Sequence, residues 1–223
     1  IKPHRTRTFK ISNDPLFEEK FWDVIGLYLE PPQKTLVLCC DEKSQCQALE
    51  RTQPGLPLGI GHIRTKTHDY FRHGTVTLFA ALNYLDGKVI AHTAEKHTHR
   101  QWLSFLRTID RETPPDLALH LILDNYGTHK HPAVKRWIAR HTRFHLHFTP
   151  TSSSWMNLVE RFFRDLTVDV VRDGSFRHVN ELVHAIMQYI EERNLAPRRY
   201  VWKKTGAEIL AKIRRAKAQL PAG

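Results

Sequence analysis

No apolar run in this chain approaches the length needed to span a bilayer, which excludes a helical membrane protein. Nothing at the start has the basic, apolar and small-residue order of a secretory signal. Cysteine is scarce: Cys39, Cys40 and Cys46 are odd in number and lack CxxC spacing. They read as reduced thiols of a cytosolic protein, with Cys39 and Cys40 filling a buried strand. No internal repeat or low-complexity tract appears. Negative charge is short as well, with 23 Asp and Glu against 34 Lys and Arg, a net +11. Acids are missing most conspicuously from the ends. Lys2, Arg5, Arg7 and Lys10 stand in an opening stretch that has none, and Arg198, Arg199, Lys203, Lys204, Lys212, Arg214, Arg215 and Lys217 share theirs with Glu208 alone. Such a balance favours a polyanionic partner, DNA or RNA, and both ends read as phosphate-contacting arms. The bland alternative is a basic soluble protein with no such partner.

What is present is enough for one packed domain. At 223 residues and 41% hydrophobic, a single α/β domain with a helical extension is expected rather than two cores. The chain opens at Ile1 rather than Met, so it is expected to be part of a longer one. Residues 1–14 read as a basic linker. A helix is expected over Leu16–Leu29, with Phe17, Phe21, Val24, Ile25 and Leu29 inward, stopped by Pro31 and Pro32. Thr35–Cys40 has the unbroken apolar pattern of a central strand. Residues 43–74 hold Pro54, Gly55, Pro57, Gly59 and Gly61 and read as a long irregular insertion. Thr75–Asn83 and Lys88–Thr93 form a hairpin turned at Asp86-Gly87. Then follow a helix over Arg100–Ile109, a strand over Leu117–Leu123, a helix over His131–His141 and a strand over Phe144–Phe148. Helices over Trp155–Val170 and Val179–Glu192 come next, and a last one begins at a Thr205-x-x-Glu208 capping box. Three early strands followed by alternating elements imply a mixed sheet with helices on both faces.

Three carboxylates stand where these elements would present them to one place. Asp41 and Asp124 end buried strands, and Glu160 lies on the helix beside its apolar stripe, with Asn157 and Arg164 on its own helical face. The stretch between Asp124 and Glu160 accommodates one helix and one strand. Carboxylates at strand ends in a basic chain suit a pair of hard divalent cations held against a phosphodiester. Singly each residue is ordinary: an Asp ending a strand is commonly a turn former, and a helical Glu is commonly solvated. Glu42 rivals Asp41, since adjacent strand residues face opposite ways and an all-apolar strand does not say which faces the cluster. Fifteen histidines raise a zinc reading at His92, His97 and His99 or at His141, His145 and His147, but neither set has paired cysteines or HExxH spacing. Trp155 reads either as a core anchor at the helix start or as a stacking surface for a base at a cut end.

The segments Asp41-Glu42-Lys43, Leu123-Asp124-Asn125-x-x-x-His129 and Phe148-Thr149-Pro150-x-x-x-x-Trp155-x-Asn157-x-x-Glu160-Arg161-Phe162-Phe163 resemble the Asp–Asp–Glu transposases, in particular the bacterial insertion-sequence branch related to mariner elements. The likeness runs from about Lys34 to Phe163 and loosely on through Tyr189 and Trp202. It implies a ribonuclease H-like α/β fold with a C-terminal helical extension, a Mg²⁺ site that Mn²⁺ also serves, and cut-and-paste strand transfer. It picks Asp41 over Glu42 and makes Asp41, Asp124 and Glu160 the catalytic, metal-holding triad, with Asn125, His129, Trp155 and Asn157 in support. Double-stranded DNA is the implied partner, a homodimer the implied active form, and the bacterial cytoplasm, on the nucleoid, the implied place. The implied division is a basic linker and leading helix over 1–33, a catalytic core over 34–172 and a helical extension over 173–223. Relatives carry helix-turn-helix modules ahead of the core; here only the basic linker stands there, so DNA binding by this chain is expected to be salt-dependent and weakly sequence-specific. The alternatives are a ribonuclease H-like nuclease on hybrid or branched substrates and a DNA-binding remnant without chemistry.

Overall fold

The computed structural model describes residues 11–53 and 69–218. Lys2, Arg5, Arg7 and Lys10 lie outside the described residues. The chain runs α1 (Phe17–Leu29), β1 (Thr35–Arg51), β2 (Tyr70–Asn83), β3 (Val89–Ala94), α2 (His99–Glu112), β4 (Ala118–Leu123), α3 (Pro132–Ile138), β5 (Phe144–Phe148), α4 (Val159–Leu166), α5 (Val179–Leu195) and α6 (Gly206–Ala218). The strands form a five-stranded sheet in the order β3-β2-β1-β4-β5. β1 pairs antiparallel with β2, and β2 with β3, the latter two joined by a short turn. β1, β4 and β5 pair parallel, with α2 and α3 as the crossovers.

Pleat sorts the apolar strand residues into two cores. Val37, Cys39 and Ile122 face α1, α4, α5 and α6, whereas Leu38, Cys40, Leu119 and Leu121 face α2 and α3. Cys39 and Cys40 are thus both buried, on opposite faces. α1 is part of this core: Phe21, Val24 and Ile25 are fully buried, and each such side chain contributes about 1.5–3 kcal/mol. That rules out a loosely tethered leading segment. Its last inward residue is Tyr28, while Leu29 is exposed. None of the described helices is long and apolar enough to cross a membrane.

Two expectations need correction. Much of the irregular insertion over 43–74 is strand, because β1 continues to Arg51 and β2 begins at Tyr70. Alternation does persist there, with Cys46 and Ala48 buried between less buried neighbours. A register shift between Lys43 and Cys46, with Gln45 at φ 54°, slips the period and hides it. The helix expected over Trp155–Val170 is interrupted: a 3-10 turn at Ser154–Met156 precedes α4, and a π-helical turn at Thr167–Val171 follows it. By contrast the Asp86-Gly87 turn forms as expected. Gly87 has φ 82°, and a Cβ there would lie 2.7 Å from the Arg198 backbone, so only glycine fits. The capping box also forms, with Thr205 N–H donating to Glu208 Oε2 (3.1 Å) and Glu208 N–H to Thr205 Oγ1 (3.3 Å).

Candidate active site

Strand register brings the two aspartates together. β1 and β4 run parallel with Cys39 opposite Ile122. Asp41 and Asp124 follow each of these by the same offset, so they stand side by side, Asp124 just past the end of β4 and Asp41 within β1, which runs on to Arg51 rather than ending before Asp41. Pleat then separates Asp41 from Glu42. Asp41 shares the face of Cys39, toward α4; Glu42 shares the face of Cys40, toward His129.

Glu160 enters from α4, which packs against β1. Its position depends on the preceding turn, which is tied down twice. Asn157, 1% exposed, donates from Nδ2 to the Cys40 carbonyl at 2.8 Å. Tyr28 donates from its hydroxyl to the Met156 carbonyl at 2.8 Å. Asn157 therefore sits ahead of the helix, pinned to the residue before Asp41, and does not share a helical face with Glu160. Asn157→Ala is expected to cost about 1–3 kcal/mol, because it strands a buried carbonyl. It should also lower cleavage by letting Glu160 drift. Thermal melts and cleavage assays on the same preparation check both effects.

Electrostatics record the clustering. Burial pushes the Asp41 carboxyl up to about 8, with the Asp124 charge adding most after it and the Glu42 N–H, at 2.8 Å, pulling the other way. Glu160 is also raised, first by partial burial and then by Asp124, against the pull of Lys43. Asp124 moves below its usual range: burial would raise it, but His129, the Tyr126 N–H (3.0 Å) and Lys130 outweigh that. His129 is the counterweight. Burial alone would lower its pKa, yet Asp124 Oδ1 at 3.2 Å from Nδ1 and Glu42 Oε2 at 3.4 Å from Nε2 raise it to about 9. The second contact is an ion-pair distance rather than a well-aligned hydrogen bond, and both atoms otherwise lack a partner. His129 is thus a buried imidazolium joining Asp124 to Glu42, with the Trp102 ring 4.4 Å away. Asn125 accepts from Lys130 Nζ at 2.5 Å and donates to Thr151 Oγ1 at 3.3 Å, which orients Lys130 beside Asp124.

Among the described residues, no group of three His, Cys, Asp or Glu side chains already stands at metal-coordinating geometry. The donor chemistry still fits a hard divalent cation. Asp41, Asp124 and Glu160 offer only oxygen, and two of the three are held above their ordinary pKa by burial and mutual repulsion, a condition that a divalent charge would relieve. Of the histidines considered for zinc, His141 bonds the Trp137 carbonyl at 2.7 Å, and His147 joins Asp23 to His120, each at 2.9 Å.

The remaining expected residues are spread out. Trp155 is 45% exposed, not a core anchor. With Trp202, Lys203 and Lys204 it lines a groove of about 710 Å³ that the carboxylates do not line. Arg198 and Arg199 pack at the opposite end of the sheet from Asp41. There the Arg198 carbonyl accepts from Arg193, and the Arg199 guanidinium donates to the Tyr84 carbonyl at 3.4 Å. Arg214 pairs with Glu18 at 2.8 Å, and Arg215 is exposed. Sequence reasoning missed the imidazolium bridge, Lys43 and Tyr28. The two acids flanking His129 in space come from different strands, so no local spacing marks them.

The family model described as DDE superfamily endonuclease matches residues 37–183. That segment holds β1 through the start of α5, with all three carboxylates. The "Insertion element IS630 uncharacterized 39 kDa protein" of Shigella sonnei is 25% identical over 114 residues, which is 51% of this chain and 33% of that protein. The chain therefore spans about a third of the length of this curated relative. The Mos1 strand transfer complex superposes with a TM-score of 0.60 at 10% identity, over 98% of this chain and 63% of that one. The catalytic domain of Mos1 mariner transposase does so at 0.54 and 10% identity, over 94% and 92%. A Mos1 mariner paired end complex with Mn scores 0.57 at 12% identity, over 96% and 63%. These structures share the fold, a ribonuclease H-like mixed sheet flanked by helices. With the family model covering most of the chain and its segment enclosing the Asp41, Asp124 and Glu160 cluster, this protein belongs to the DDE superfamily endonucleases.

Proposed function

We propose that this chain is the catalytic part of a DNA transposase that hydrolyses phosphodiesters at transposon ends and joins the freed ends to target DNA. One observation carries the reading: the β1–β4 register sets Asp41 beside Asp124, and the doubly tied turn before α4 brings Glu160 to them. Asp41, Asp124 and Glu160 hold the metal. When bound there, two divalent ions neutralise the phosphate and align the attacking and leaving oxygens. In the first step a water oxygen attacks phosphorus, releasing a proton, and the 3′-oxygen leaves and is protonated to a hydroxyl. In the second, that hydroxyl gives up its proton as it attacks a target phosphodiester, whose own 3′-oxygen leaves and is protonated in turn. The chain's own residues orient these groups. His129, with Glu42 behind it, keeps Asp124 ionised and in place. Asn125 aims Lys130, and Lys43 lies near Glu160, so two ammonium groups stand ready beside the scissile phosphate.

Mg²⁺ is the proposed cofactor, with Mn²⁺ able to substitute, since an all-oxygen donor set suits hard cations. The partners are double-stranded transposon ends and target DNA, engaged by a homodimer on the bacterial nucleoid. In functional terms, residues 34–172 supply the chemistry, 1–33 lead into it and 173–223 extend it. Of the described basic residues expected to touch phosphate, Lys203, Lys204 and Arg215 are the favoured contacts.

The test is joining of a precut DNA end to a plasmid across a metal series. Mg²⁺ and Mn²⁺ are expected to support joining, and Ca²⁺ to support binding with little chemistry, because its longer bonds and higher coordination number spoil in-line alignment. Activity indifferent to added Mg²⁺, with one tightly held Zn²⁺ per chain, would overturn the reading. Cleavage confined to RNA–DNA hybrids would replace it with a hybrid nuclease.

A further inference from the structure

We propose that the groove between the turn preceding α4 and the start of α6 binds an unpaired stretch of DNA, with one nucleobase stacked on Trp155. The proposal rests on the reading of this chain as a DNA-cutting enzyme and adds a site to it. Trp155 opens a ladder of aromatic rings. Its ring lies 6.1 Å from Trp202 at 26°, and Trp202 lies 5.6 Å from Tyr28 at 17°. Tyr28 is buried and tied to the Met156 carbonyl, one residue after Trp155. The outermost indole is therefore held in a fixed orientation while remaining 45% exposed. A rigid, exposed aromatic surface costs little entropy to use and accepts the face of any base.

The surroundings specify the occupant. The groove, about 710 Å³, has an apolar floor that includes Leu158 and Ile213. Its cationic lining comes from Arg161, Lys203, Lys204 and Lys212, against Glu208 alone. An apolar floor with a cationic rim matches a strand whose bases turn inward and whose phosphates stay outside. The chain's own opening stretch is a poor occupant, since Lys2, Arg5, Arg7 and Lys10 would meet like charge. A paired base hides both faces in the duplex, so the strand must be single where it meets Trp155. Leu158 and Arg161 flank Glu160 in sequence, which makes the groove continuous with the helix that bears the third carboxylate. The unpaired segment accordingly runs on from the reacting phosphodiester.

The experiment uses the full chain without Mg²⁺, so that no chemistry intervenes. DNA duplexes with a short single-stranded overhang carry 2-aminopurine at successive overhang positions, and a blunt duplex of the same sequence serves for comparison. The overhang duplex is expected to bind about tenfold more tightly than the blunt one, the scale of one stacked base. The fluorescence of 2-aminopurine is expected to be quenched at one position only. Trp155→Ala should abolish both the preference and the quench, and Trp155→Phe should retain them. Lys203→Glu combined with Lys204→Glu, at exposed positions with no core role, should weaken overhang binding and reduce its salt dependence. Equal affinity for overhang and blunt duplexes in the wild type, or a quench that survives Trp155→Ala, overturns the proposal. So does loss of a dimer in Trp155→Ala with overhang preference intact, which would assign the groove to a second copy of the chain. Position-specific quenching by a protein that cuts no DNA in Mg²⁺ would sink the transposase reading and leave the groove standing. Cutting without any overhang preference would do the reverse.

Discussion

Replacing any one of the three carboxylates, by Asp41→Asn, Asp124→Asn or Glu160→Gln, is expected to lower DNA cleavage and joining by on the order of 1000-fold, the scale seen when a preorganised charge-stabilising group is removed. The three variants should differ in stability. Asp41 is almost fully buried among like charges and has a folded-state pKa of about 8, against an ordinary value of 3.8. The folded form therefore binds an extra proton between those values, and stability falls as pH rises from about 4 to about 8. Asn keeps the contact with the Glu42 N–H and removes the charge. Asp41→Asn should melt about 5 °C above the wild type at pH 8, corresponding to about 1–2 kcal/mol in a chain of this size, and should match it near pH 4. Glu160 is the most exposed of the three carboxylates, so Glu160→Gln should leave the melting temperature nearly unchanged. Melting curves at both pH values, read beside the cleavage assay, check the two halves together. A Glu160→Gln variant with near-normal Mg²⁺-dependent activity would remove that residue from the triad.

His129→Ala is expected to have the largest structural effect. The side chain is fully buried between two carboxylates, and removing one partner of such an assembly leaves uncompensated charge. The cost should be about 3 kcal/mol, or a fall in Tm of roughly 6–12 °C. Its dependence on pH has a definite direction. The folded-state pKa of about 9 lies above the ordinary 6.5, so the stabilisation is fully present below pH 6.5 and is lost as pH rises through 9. The gap between wild type and His129→Ala should therefore narrow in alkali. Activity should fall as well, since Asp124 loses the group that holds it ionised. A gap that widened from pH 6.5 to pH 9 would mean that the imidazole is neutral and acts by packing against Trp102 alone.

The sheet was legible where its strands are buried on both faces. Thr35–Cys40 and Leu117–Leu123 stand out as nearly unbroken apolar runs and pair parallel inside the sheet, whereas Phe144–Phe148, at the edge and only partly buried, alternates apolar residues with His145 and His147 and is closed by Pro150. The far half of β1 was not, because the shift at Lys43–Cys46 puts Cys46 and Ala48 out of phase with the residues before it. Asp41, Asp124 and Glu160 could be named from position and resemblance; periodicity alone left Asp41 and Glu42 open, the resemblance chose Asp41, and the pleat turns Glu42 to the opposite face, toward His129. The helix around Glu160 misled in an instructive way. Counting Trp155 at helical spacing from Val159 buries it, whereas the 3-10 turn, with Ser152 at φ 61° just ahead, rotates it outward. The bond from Asn157 to Cys40 and the bridge through His129 join residues distant in sequence, and no local period reports either.

The claim that Asp41, Asp124 and Glu160 share a pair of divalent ions is tested most directly by Mn²⁺ titration, followed by electron paramagnetic resonance, of the chain bound to a precut DNA end. Two bound Mn²⁺ per chain are expected, with the spin coupling of ions about 3.5–4 Å apart. That signal should disappear when Asp41→Asn, Asp124→Asn and Glu160→Gln are combined. Stoichiometric binding that persists in the combined variant, or a single uncoupled Mn²⁺ in the wild type, would contradict the assignment.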